Sequence, residues 1–217
     1  AIKGRNFNGN KFAIDAINNG CILAIVDEKK SNTNKKIVLV KDALKTLQSL
    51  AIYHRKQLSI PIIGITGTNG KTTSKELINN VLGSEKCCYA TKGNLNNHIG
   101  VPLSILEIKK KHKIAVIEMG ANHQHDIEFL CNIAQPNYGV ITNIGSAHLK
   151  GFKNIQGVIK TKNELYNYIR ENNGTLFVNN EDRLLQKLSQ DINKVTYGLG
   201  GFCKGKITKN TPYLNIK

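Results

Sequence analysis

The sequence predicts an α/β protein: a small N-terminal α/β domain, then a mostly parallel sheet of phosphate-loop type with helices on both faces. Three observations carry this expectation. Apolar runs without polar alternation, over residues 60–65 and 114–117, read as strands buried on both faces. They alternate with segments of helical period. Each run ends in a polar or glycine-bearing cluster, and open parallel sheets bind ligands outside those strand ends.

Residues 1–58 read as the small domain. Phe12, Ala13, Ala16 and Ile17 share one face of a short helix, and Gly20 sits where a C-cap belongs. A β-run over 21–26, a polar turn over 29–35 and a second β-run over 37–40 follow. Asp42 is placed to N-cap a helix with Leu44, Leu47, Ala51 and His54 on one stripe. Residues 57–61 read as a linker, so the second domain is expected over 59–217. There the strand over 60–65 enters a glycine-rich turn and a helix with Leu77, Ile78, Val81 and Leu82 inward. The strand over 114–117 ends in Glu118-Met119-Gly120 and leads to a helix carrying Ile127, Leu130 and Ala134. A strand over 138–141 ends in Thr142-Asn143-Ile144-Gly145. A helix over about 156–170 places Ile159, Lys162, Tyr166 and Ile169 on one face, beside Leu165.

The 217 residues can bury a sizeable core without a disulfide or metal staple. The net charge of +16 does not read as nucleic-acid binding. It arises from 27 Lys against only 4 Arg, beside 27 Asn and 27 Ile, a bias expected of an AT-rich coding sequence. Specific readers of nucleic acid lean on Arg for bidentate contacts. No apolar run approaches the roughly 18 residues of a membrane span. The start, Ala1-Ile2-Lys3-Gly4-Arg5, lacks a signal-peptide layout and an initiator Met, so the chain is expected to be processed or a fragment. Cys21, Cys87, Cys88, Cys131 and Cys203 are odd in number and form no C-x-x-C pair, which suggests neither a disulfide framework nor a zinc site. A cytoplasmic location is expected.

The strongest chemical signal is Gly67-Thr68-Asn69-Gly70-Lys71-Thr72-Thr73. Glycines let the backbone wrap phosphate oxygens, and the helix N-terminus behind them favours an anion. Lys71 can reach the β- and γ-phosphates of ATP, and the Thr72 hydroxyl can ligate Mg²⁺. The general pattern wants Gly five residues before Gly70, where this chain has Ile65. Glu118, at the end of an apolar strand, is either a solvated charge or a carboxylate for the Mg²⁺ that bridges nucleotide phosphates. His148 follows a strand in the same way and is either structural or a metal ligand. The amide-rich stretch Asn94-Leu95-Asn96-Asn97-His98 either reads a sugar or peptide or reflects composition alone. Lys162, on an apolar stripe, either snorkels to water or is buried with its charge paired or lost.

Taken together, these residues resemble the Mur ligases, ATP-dependent amide-forming enzymes of peptidoglycan synthesis. Gly64-Ile65-Thr66-Gly67-Thr68-Asn69-Gly70-Lys71-Thr72-Thr73 is similar to that family's phosphate loop, which tolerates a residue other than Gly at the position of Ile65. Residues 90–103, 118–123 and 141–152 narrow the resemblance to the members that join D-alanyl-D-alanine to UDP-MurNAc-tripeptide. Residues 1–9 are similar to the uridine-nucleotide-binding domain of those members.

The resemblance implies ligation through an acyl phosphate, with ATP and Mg²⁺ as cofactors. It implies catalytic roles for Lys71, Glu118, His148 and Lys162, and ATP binding by residues 67–73. Metal ligands are implied at Thr72, Glu118, His148 and Lys162, the last as a carbamate. Asn94, Asn96, Asn97 and His98 are expected to meet substrate, and the role of Asn179 stays open. UDP-MurNAc-tripeptide and D-Ala-D-Ala are the expected partners of a monomer, with no nucleic acid and no membrane insertion. The family has three domains, so the first is expected to be incomplete at its start, the central one at its end, and the third absent. The fragment alone is expected to be inactive. Alternatives are another amide ligase of the superfamily, acting on a different UDP-MurNAc-peptide or a folate-like acceptor, or a non-catalytic ATP-binding module.

Overall fold

A computed structural model of the chain describes residues 1–28, 34–145, 149–152, 154–205, 207–209 and 215–216. After a 3₁₀ turn at Gly9–Phe12 come α1 (Ala13–Asn18), β1 (Ala24–Val26), β2 (Ile37–Leu39) and α2 (Ala43–Gln57). Then follow β3 (Ile62–Thr66), α3 (Lys71–Glu85), β4 (Cys88–Ala90), α4 (Gly100–Glu107), β5 (Ile114–Glu118), α5 (Asp126–Ala134) and β6 (Tyr138–Ile141). The chain continues through α6 (Leu149–Phe152), α7 (Ile155–Glu171), β7 (Thr175–Asn179), α8 (Arg183–Leu188) and β8 (Lys194–Tyr197). Among the described residues, a short antiparallel pair, β9 (Ile207–Lys209) and β10 (Asn215–Ile216), is the last regular structure. Among the described residues no helix is long and apolar enough to cross a membrane.

The chain divides into two compact units, Ala1–Leu50 and Ala51–Lys217. In the first, β1 and β2 pair in parallel, and Ala13 and Ile17 of α1 pack on Ala24 and Val26. The Asp27 carboxylate accepts from the Ala43 backbone N–H at the start of α2 and from the Asn10 amide. The first β-run is shorter than the sequence suggests, since Ile22 and Leu23 are exposed and β2 offers partners only to Ala24–Val26. Phe12 also turns outward, its ring stacked on Phe7 at 5.3 Å. Of the turn expected over 29–35, residues 29–33 lie outside the described residues.

The division falls within α2, whose last turns carry Arg55. Its buried guanidinium donates to the carbonyls of Ala134 (2.9 Å) and Gln135 (3.0 Å) at the end of α5, and to that of Leu58 (3.0 Å). These bonds satisfy carbonyls that a helix end leaves without partners.

The second unit is a six-stranded, all-parallel sheet in the order β4-β5-β3-β6-β7-β8. Side chains alternate along each strand. Ile62, Ala115, Ile117, Ile141, Leu176 and Val178 pack with α4, α5, α7 and the end of α2. Ile63, Ile65, Val116 and Val140 face the other way, against Ile78 and Leu82 of α3. The expected α/β sheet with helices on both faces is therefore present. Two of the inward residues expected on α3 are not inward: Leu77 is 61% and Val81 71% exposed. The helix rests on the sheet through Lys75, Ile78 and Leu82. Leu77 and Val81 border an apolar groove of about 540 Å³ with Val140, Phe177 and Tyr197.

Candidate functional site

Strand β3 ends at Thr66 and α3 begins at Lys71, so residues 67–70 reverse the chain at the carboxyl edge of the sheet. Gly67 (φ 149°) and Gly70 (φ 76°) hold conformations that L side chains rarely adopt. A Cβ on Gly67 would also fall 1.9 Å from Thr142 Oγ1. The end of β6 fixes the shape of the loop. Thr142 Oγ1 donates to the Asn69 carbonyl (2.6 Å). The Asn143 amide both accepts from Asn69 N–H (3.0 Å) and donates to Asn69 O (2.9 Å). The backbone N–H of Thr68 donates to Asn143 O at 2.9 Å. Lys71 Nζ donates to the carbonyls of Gly67 (2.9 Å) and Thr68 (3.0 Å). Burial lowers the Lys71 pKa, and the Glu118 charge opposes that shift.

Glu118, the last residue of β5, is 1% exposed and held on both carboxylate oxygens. Thr72 Oγ1 donates to Oε2 at 3.0 Å, and Asn96 Nδ2 donates to Oε1 at 2.8 Å. Its backbone N–H donates to Thr91 Oγ1 at 3.0 Å. The charge is thus not a solvated strand end. The parallel pairing that sets Ile65 opposite Glu118 brings the carboxylate to the first turn of α3.

Lys162 reaches the same place from α7. It is 4% exposed, which excludes snorkelling, and its Nζ lies 3.5 Å from the buried Thr66 hydroxyl. Burial, with the Lys71 ammonium second, lowers its pKa to about 8. The amine is therefore close to neutral under mildly alkaline conditions. Lys71 and Lys162 share a cleft of about 360 Å³ whose wall includes Gly67, Thr68, Asn96 and His98. Its far side is formed by Asn122, His123, Phe129 and Phe152.

The structure thus brings together Lys71, Thr72, Glu118 and Lys162. His148 lies outside the described residues. Of the amide-rich stretch, Asn96, Asn97 and His98 line the cleft and Asn94 does not. Asn97 also caps α4, its Oδ1 accepting from the N–H groups of Ile99 (3.0 Å) and Gly100 (2.9 Å). Asn179 lies at the end of β7, with its Oδ1 accepting from Glu181 N–H. Sequence reasoning missed the brace from Thr142 and Asn143, and it missed Lys75, whose side chain is fully buried beneath Glu118. A signal for Lys75 existed. It sits four residues after Lys71 and shares a helical stripe with Ile78 and Leu82, the same pattern that singled out Lys162.

The donors present fit a magnesium ion. The Thr72 hydroxyl and Glu118 carboxylate are hard oxygen donors that already touch. Among the described residues no group of three or more His, Cys, Asp and Glu could hold a metal ion. Mg²⁺ is bound through one or two protein oxygens together with phosphates and water.

Residues 65–212 match the family described as the Mur ligase middle domain. The chain is 37% identical over 201 residues to the UDP-N-acetylmuramoyl-tripeptide--D-alanyl-D-alanine ligase of Bacillus subtilis (strain 168), covering 92% of this chain and 44% of that protein. It superposes on a crystal structure of MurF from Acinetobacter baumannii with a TM-score of 0.84, at 34% identity, covering 95% of this chain and 46% of the other. MurF ligase from Thermotoga maritima in complex with ADP gives a TM-score of 0.83 at 36% identity, covering 95% and 48%. The chain therefore spans under half the length of the relatives it matches.

Proposed function

The chain belongs to the Mur ligase family, and from that premise we propose that it is part of an ATP-dependent ligase joining D-alanyl-D-alanine to UDP-MurNAc-tripeptide. The observation that carries this reading is the convergence of Lys71 and Lys162 on one cleft beside a phosphate-type loop, with the Thr72–Glu118 pair joined to the cleft through Asn96. The relatives named for this reaction match the chain along nine-tenths of its length in the case of the B. subtilis enzyme.

In this reading a tripeptide carboxylate oxygen attacks the γ-phosphorus of ATP, giving an acyl phosphate and ADP. The amine of D-alanyl-D-alanine then attacks the acyl carbon, loses a proton, and phosphate leaves. The protein contributes positioning and charge neutralisation. Lys71 leaves the Gly67 and Thr68 carbonyls for the β- and γ-phosphates, offsetting charge on the transferred group. Thr72 and Glu118 would hold Mg²⁺, which would supply charge neutralisation at the phosphates. Asn96 and Lys162 line the same cleft as Lys71, and Asn96 orients the attacking tripeptide there.

Lys162 is assigned as a carbamate. Its neutral amine adds to CO₂, a proton leaves to solvent, and the anion formed lies beside Lys71. His148 joins it as a metal ligand, and the reaction belongs in the cytoplasm, with the protein a monomer. Calorimetry tests the reading with Mg-ATP, and ¹³C-bicarbonate tests the carbamate. Saturable Mg-ATP binding that is lost in Glu118→Ala supports it; no binding by the wild-type chain at physiological salt overturns it.

A further inference from the structure

Lys75 is a full turn deeper into α3 than Lys71, and its side chain is wholly excluded from water. Its Nζ donates to the Thr91 carbonyl at 2.6 Å and to that of Gly93 at 3.4 Å. It pairs with Glu76 Oε1 at 2.8 Å and lies 4.0 Å from Glu118 Oε2. An ammonium is buried only against a large desolvation cost, and an aliphatic side chain of similar length would fill the same space. What the aliphatic chain could not do is grip Thr91. That residue donates its N–H to Val116 O and accepts the Glu118 N–H on its hydroxyl, so it carries the backbone of the carboxylate. Residues 91–97 then run on to Asn96, which holds the other carboxylate oxygen.

The geometry points to Lys75 as a positioning residue: it ties α3 to the 91–97 segment and presents the Glu118 carboxylate to the phosphate-loop helix. Three groups thus fix the Glu118 side chain: the Thr72 hydroxyl, the Asn96 amide and the Lys75 charge. Of these, the Asn96 amide lies on the segment that Lys75 grips through Thr91 and Gly93, and the Thr72 hydroxyl lies on the helix that Lys75 anchors. This inference rests on the nucleotide-site reading above and adds to it a residue that touches neither nucleotide nor metal.

The test uses the chain with Lys75→Met and Lys75→Gln, the second keeping an N–H donor but no charge. ATP binding is titrated by calorimetry in EDTA and at increasing Mg²⁺, with melting followed in parallel. The Mg²⁺ concentration for half-maximal enhancement of ATP binding is expected to rise about ten- to a hundredfold in both variants, while affinity in EDTA changes by less than about twofold. A merely structural lysine would lower the melting temperature and weaken binding equally with and without Mg²⁺, which overturns the inference. So does an unchanged Mg²⁺ midpoint in either folded variant, or failure of both variants to fold. If wild-type chain fails to bind Mg-ATP, the nucleotide reading itself falls. If wild type binds and the variants match it, only the role of Lys75 falls.

Discussion

Thr72 Oγ1 and Glu118 Oε2 lie 3.0 Å apart although 46 residues separate them in sequence. The contact follows from topology: β5 pairs directly with β3, so the strand end carrying Glu118 lies beside the helix that β3 feeds. A hydroxyl is both donor and acceptor. The proton Thr72 now gives to the carboxylate can rotate away, leaving both oxygens free to face one cation. In the proposed reading, the hydrogen bond between the two holds closed the place that Mg²⁺ would take.

Lys71→Ala removes the side-chain cation of the phosphate loop. Its Nζ bonds only loop carbonyls, so melting should be nearly unchanged. Mg-ATP affinity should fall roughly 10- to 100-fold, the size of a lost charge-assisted contact. Calorimetry at fixed salt checks this, and unchanged affinity would mean that the loop is structural.

Gly67→Ala meets both a disfavoured φ and a clash with Thr142 Oγ1. The expected loss is about 1–3 kcal/mol of stability. Adding Thr142→Ala removes the clash but not the backbone strain, so chemical denaturation should show partial recovery. Full recovery would place the whole cost in the side-chain contact, and none would place it in the backbone.

Stability should depend on pH through Lys162. Its folded pKa, about 8, lies below its ordinary 10.5. Between those values the unfolded chain still binds the proton and the folded chain does not. Stability therefore rises as pH increases across that window, by up to roughly 3 kcal/mol. Lys162→Met lacks this titration. Melting curves of the two proteins from below pH 8 to above pH 10 should converge as pH rises, with the variant the more stable at the low end. Parallel curves would show that the amine is not depressed.

Arg55→Met leaves the carbonyls of Ala134, Gln135 and Leu58 without their donor. The cost should be about 2–4 kcal/mol, lowering the melting midpoint by roughly 5–10 °C. Mg-ATP affinity measured well below the midpoint should stay as in wild type. An unaltered midpoint would mean that water replaces the guanidinium.

The parts of the site that lie along one stretch of chain were legible in the sequence. A strand, two glycines, Lys71 and Thr72 follow one another without a gap, and the loop is built in that order. Glu118 and Lys162 were legible as polar residues at the end or on the stripe of apolar elements. The brace from Thr142 and Asn143 was not, because it requires knowing that β6 lies next to β3. Leu77 and Val81 misled for a related reason. A helix on a flat sheet buries one stripe, and periodicity alone cannot say which of two adjoining apolar stripes the sheet takes. β4, β7 and β8 escaped notice: β4 has three residues, and the side chains of β7 and β8 are in part only half-buried.

The brace on the phosphate loop also has a kinetic meaning. Thr66 waits for Met119, 53 residues on, and Asn69 for Asn143, 74 residues on. Loops of that length close slowly, and every strand pair in the central sheet is parallel and non-local. The glycine turn thus gains its final shape only after β6 docks, late in folding. Until then, β3 presents its apolar edges to other chains, which makes the interval before β6 arrives the one in which aggregation competes with folding.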